Sequence, residues 1–93
     1  AINNMSFNKI SDEIIEMIFD YCEENNIEVD ILNGVLYINS AFGQYVINKH
    51  NVTSQIWVSS PRSGAHKFSY NEVQQLWGLK EKELYSLIIS ELA

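Results

Sequence analysis

The hydrophobic period of this chain changes at Ile27, and that change requires two kinds of structure in one small protein. Before it, Phe7, Ile10, Ile14, Met17, Ile18 and Tyr21 recur every three or four residues, the buried stripe of an amphipathic helix. Residues 6–25 are therefore predicted to be helical. Ser6 is the expected N-cap. Asn25-Asn26 ends the helix, because asparagine tolerates the left-handed backbone found at C-termini. From Ile27 the period is two: Ile27, Val29 and Ile31 alternate with Glu28 and Asp30, as in a half-exposed strand. Asn33-Gly34 supplies two residues that accept positive φ, which a type I′ hairpin turn needs. Strands follow at 35–39, 44–49, 55–59 and 66–70, separated by short connections such as Ser60-Pro61-Arg62-Ser63-Gly64. Residues 71–77 are ambiguous, with room for a short sixth strand around Trp77. Residues 80–92 read as a second helix with Leu84, Leu87, Ile88 and Leu92 on one face, although Lys80 and Lys82 at its start oppose the helix dipole.

Ninety-three residues make one domain, 1–93, and are too few for two cores. Consecutive strands with short links form an antiparallel meander. The N- and C-terminal helices can cover only one of its faces. The expected fold class is α+β: a two-layer sandwich with both helices packed on one face of a five- to six-stranded antiparallel sheet, the other face open to solvent.

Charge is distributed as unevenly as periodicity. Of twelve acids, eight lie in the first thirty residues with Lys9 as the single base among them: Asp12, Glu13, Glu16, Asp20, Glu23, Glu24, Glu28 and Asp30. Asp12, Glu16, Asp20 and Glu24 are spaced four apart, and like charges at that spacing on a helix repel by about 0.2–0.5 kcal/mol per pair. The residues alone leave two readings open: a solvated face that keeps an acidic protein in solution, or a ridge for a cationic partner, whether metal ion or basic protein surface. A net charge of −6 argues against nucleic acid and against an anionic membrane surface. No apolar run approaches the roughly 20 residues of a membrane span. Cys22 is the only cysteine, which excludes an internal disulfide or a cysteine zinc site, fits a reducing compartment and suits a small buried hydrophobe. His50 and His66 are expected at the surface. No EF-hand loop, phosphate-cradling glycine loop or hydrolase constellation occurs.

One stretch carries more. Gly43-Gln44-Tyr45-Val46-Ile47-Asn48-Lys49, then Gln55-Ile56-Trp57-Val58-Ser59-Ser60-Pro61 and Ser63-Gly64, resembles the signature of the frataxin family, mitochondrial and bacterial, and Asn33-Gly34-Val35-Leu36 resembles that family's first hairpin. The likeness covers about residues 27–70, and its wording is closer to the mitochondrial and alpha-proteobacterial members. It departs from the mitochondrial type at His50, usually Gln, at Ala65, often Pro, and at Lys67, frequently Arg, which matters because lysine lacks the planar two-point contacts of arginine.

The resemblance implies iron, ferrous or ferric, bound weakly on the eight acids of the first helix and first strand. It also implies docking on the cysteine desulfurase and iron–sulfur scaffold complex, with ferrochelatase as a further partner. A mitochondrial home follows, in the matrix or a reduced mitochondrion-derived organelle, with bacterial cytoplasm as the alternative. The expected state is a monomer that iron could drive into oligomers. Ferroxidase activity has been attributed to the family, but the Glu-x-x-His pairs of dedicated di-iron oxidases do not occur here, so any such turnover is expected to be slow. Strand parity places Tyr45, Ile47, Ile56, Val58, Phe68 and Tyr70 under the helices and Asn48, His50, Gln55, Trp57 and Lys67 on the open face. In the family, positions of that kind contact the assembly complex, and Trp57 has the large apolar area and donor of an interface anchor.

Overall fold

The structure is a computed structural model that describes residues 3–93. Helix α1 spans Asn4–Glu24, and its N-cap is Asn3, whose side chain accepts from the Ser6 N–H at 2.8 Å. The expected cap, Ser6, is therefore already inside the first turn. Asparagine and serine cap about equally well, and here the earlier residue holds the extended backbone of a cap. Phe7, Ser11, Ile14, Ile15, Ile18 and Cys22 are buried, while Met17 is half exposed. The buried stripe is thus rotated around the helix from the expected one, away from Met17 and toward Ile15 and Cys22. Ser11 enters the core without cost because its hydroxyl donates to the Phe7 carbonyl at 2.6 Å.

Seven strands follow: β1 Glu28–Leu32, β2 Val35–Ser40, β3 Gly43–His50, β4 Gln55–Ser60, β5 Gly64–Asn71, β6 Leu76–Leu79 and β7 Lys82–Glu83, before helix α2 at Leu84–Leu92. They lie in one antiparallel sheet in chain order. The β1–β2 turn has φ of 52° at Asn33 and 78° at Gly34, as the I′ turn requires. The sheet has seven strands where five or six were expected, because Lys82–Glu83 pairs with Leu79 and Gly78. This short hairpin also removes the conflict between Lys80, Lys82 and a helix dipole. Neither lysine is in α2, whose N-cap is Glu83; that carboxylate accepts from the Tyr85 and Ser86 N–H groups, the favourable charge for a helix start.

Both helices cover one sheet face. Phe7, Ile14 and Ile18 of α1 and Leu84 and Ile88 of α2 meet Leu36, Ile38, Tyr45, Ile47, Ile56, Val58, Phe68 and Trp77 in one core; each such side chain contributes about 1.5–3 kcal/mol on full burial. Phe7 and Trp77 pack edge to face with centroids 5.8 Å apart, and Tyr21 and Tyr85 join the two helices in the same manner.

The far end of α2 is fastened by a polar cluster. One oxygen of Glu91 accepts from Tyr45 Oη at 2.8 Å and Ser60 Oγ at 2.6 Å, and the other from Ser63 Oγ. Arg62 donates to the Glu91 carbonyl. Ser63 gives its only hydroxyl hydrogen to Glu91, so His66, 2.8 Å away, must donate to it through Nε2–H. His66 is 5% exposed, contrary to the expectation of a surface histidine: it shares strand parity with Phe68, so it points under the helices, and Ser63 satisfies its ring.

Candidate functional site

All eight acids of the ridge are exposed. On α1, the positions of Asp12, Glu13, Glu16, Asp20, Glu23 and Glu24 lie across the cylinder from the buried stripe, which follows from a 3.6-residue turn. Asp12 alone is neutralised: Lys49, leaning under the helices from β3, places Nζ 2.7 Å from its carboxylate. The other seven form no ion pair among the described residues. Lys49 was not foreseen as a ridge residue, although its parity with Tyr45 and Ile47 on β3 was the available signal.

Glu28 and Asp30 share a face of β1, but not the one beside α1. Glu28 pairs with Asn39 and Asp30 with Tyr37, while the alternating residues Leu36 and Ile38 are the ones buried under the helices. The two strand acids therefore sit on the open face. The ridge does not lie along one side of the molecule; it folds around the β1 edge, six carboxylates on the helix layer and two behind the sheet. Glu28 continues into a polar row across three strands, accepting from Asn39 Nδ2 at 2.7 Å, while Asn39 Oδ1 accepts from Gln44 at 3.0 Å.

Carboxylates are hard oxygen donors and suit iron. Their arrangement suits it in one way only. Among the described residues no three His, Cys, Asp or Glu side chains converge closely enough to hold a metal ion. The array therefore fits a hydrated cation held loosely by one or two carboxylates at a time, and a chelating cage does not form. Between α1 and the β1–β2 hairpin a cleft of about 250 Å³ is lined by Ile15, Phe19 and Ile31, with Asp12 and Glu16 at its mouth, so the acids flank apolar surface as well as water.

The open face carries the second group. Asn48, Trp57 and Lys67 are cross-strand neighbours in one row, and His50, Gln55 and Ser69 form the next. All five expected docking residues, Asn48, His50, Gln55, Trp57 and Lys67, are thus brought together. Trp57 is half-buried where an exposed ring was expected, because its neighbours pack on it. The His50 ring lies flat against the indole, centroids 3.9 Å apart and planes 7° from parallel. The Lys67 ammonium sits 4.4 Å from the ring centre. Gln55 Oε1 accepts from the indole N–H at 3.0 Å, and Thr53 holds His50 Nδ1 at 2.8 Å.

With this geometry in hand, comparison with known proteins is specific. The frataxin-like domain family matches residues 1–93. The mitochondrial frataxin of Dictyostelium discoideum is 42% identical over 79 residues, 76% of this chain and 41% of that protein. The mitochondrial frataxin of Arabidopsis thaliana is 34% identical over 85 residues, 85% of this chain and 46% of that protein. The chain spans about half the length of these curated relatives. Among solved structures, trimeric frataxin from the yeast Saccharomyces cerevisiae, complexed with ferrous iron, superposes with a TM-score of 0.77 at 30% identity, covering 88% of this chain and 80% of that one. The chain belongs to the frataxin-like family.

Proposed function

We propose that this protein presents iron, as cargo, to iron–sulfur cluster assembly and docks on the cysteine desulfurase–scaffold complex to modulate cluster synthesis. The observation that carries this reading is the run of exposed carboxylates around the β1 edge, seven of them without a basic partner among the described residues. A row of like charges costs stability and is relieved by a cation, either the metal or a basic protein surface. Loose, hydrated binding lets the ion leave again, which suits delivery. The open face then supplies a docking surface separate from the helix acids. The ferrous iron named with the yeast structure and the mitochondrial names of the relatives support the same reading and a mitochondrial setting.

The test is a pull-down with the purified desulfurase–scaffold pair, with and without ferrous iron, comparing wild type, Trp57→Ala and Asp20→Lys. Both variants are expected to be captured less than wild type. Asp20→Lys should also lose the iron dependence. Capture of both variants at wild-type level would remove the proposal.

A further inference from the structure

Trp57 cannot offer a ring face to a partner. His50 at 3.9 Å and Lys67 at 4.4 Å are too close to one ring centre to share a side, so they cover opposite faces. The indole N–H is taken by Gln55. What remains is the ring's edge, and beside that edge the sheet surface is hollow. A cavity of about 200 Å³ is lined by Val46, Trp57, Ser59 and Ala65, with Asn48 and Lys67 beside them. The surface is hollow there because the surrounding strands place short side chains: Ala65 pairs with Ser59 on the same open face. Its volume and apolar lining accept one branched or thioether side chain.

Charge fixes what should accompany that side chain. Lys67 is exposed, and among the described residues it has no carboxylate partner. The open-face acids Glu28 and Asp30 lie on β1, three strands from β4, roughly 14 Å away at ordinary strand spacing. Neither reaches Lys67, whose ammonium is left for an incoming carboxylate.

We infer that Trp57 is the wall of a socket, which receives a Leu, Ile or Met side chain of the docked protein, carried next to an Asp or Glu that pairs with Lys67. This inference rests on the docking reading above and reverses the role expected of a surface tryptophan: the partner supplies the knob. His50 holds the wall upright and makes no contact with the partner.

Calorimetric titration of the intact chain with the desulfurase–scaffold complex tests it. Ala65→Leu, which fills the socket, is expected to weaken binding at least tenfold. Lys67→Glu is expected to weaken it about as much. His50→Ala, which removes the ring packed against the wall, is expected to weaken binding and not to strengthen it. Ser59→Leu fills the same hollow from the neighbouring strand and repeats the test should Ala65→Leu disturb β5. Wild-type affinity in both filled variants, or a tenfold gain for His50→Ala, overturns the socket while leaving the docking reading intact. No binding by the wild-type chain removes the docking reading and the socket with it.

Discussion

Glu91 does more for this fold than its position near the end of the sequence suggests. Burial pushes its carboxyl toward the neutral form, but hydrogen bonds from Ser60, Ser63 and Tyr45, with the nearby His66, outweigh that and hold it below its ordinary value. A carboxyl depressed in the folded state stabilises the fold above its unfolded pKa, and that contribution disappears as pH falls through the folded value. Stability should therefore decline as pH drops below about 4.5, the ordinary value for a glutamate carboxyl. Glu91→Gln should flatten that part of the profile. It should also lower stability at neutral pH by about 1–3 kcal/mol, the range for losing hydrogen bonds to a charged acceptor. Urea unfolding at several pH values reads both effects, and an unchanged profile in the variant would contradict the clasp. Cys22 gives a second prediction at this scale. Burial pushes its thiol up to about 11, so almost none is thiolate at neutral pH. Iodoacetamide at pH 7.5 should leave the native protein unmodified for hours and label it in minutes once urea unfolds it; rapid labelling of the native state would place Cys22 outside the core.

Helix α1 is an element working against itself. Asp12, Glu16, Asp20 and Glu24 make three repulsive pairs at four-residue spacing, and Asp20 takes part in two of them. Asp20→Lys replaces both with attractions, so the variant should be more stable by about 1 kcal/mol while binding iron less well. Thermal melts at low and high salt check this, because screening shrinks such an effect. A variant less stable than wild type would mean that the ridge is tuned for the fold alone. Asp12→Asn should change stability by about 0–1 kcal/mol, since its pair with Lys49 involves a carboxylate that is 67% exposed. The β1–β2 hairpin is less forgiving. Gly34 at φ 78° has space for a side chain, but a branched residue in the left-handed region costs about 1–2 kcal/mol, so Gly34→Val should lower the unfolding free energy by that amount.

At the scale of the molecule, the two-layer fold was legible because both periods were clean and Asn33-Gly34 fixed the first register. Strand parity alone put Asn48, Trp57 and Lys67 on the open face; the register that sets them in one row is not written in any one strand. What escaped was longer in range or shorter in extent. The two-residue strand β7 has no period to read. His66 was misplaced because its satisfaction depends on Ser63 and Glu91, 28 residues apart in sequence. The side of β1 on which Glu28 and Asp30 stand follows from parity with Leu36 and Ile38 across the hairpin. It matters for function, since an acidic edge wrapped around β1 joins the helix layer to the open face. Ferrous iron titrated into the labelled protein, followed residue by residue by NMR, measures this directly. Signals of α1 acids Glu16, Asp20 and Glu23 should broaden first, with Glu28 and Asp30 following, while those of Asn48, Trp57 and Lys67 persist. Broadening spread evenly over the surface, or beginning at His50, would contradict the account.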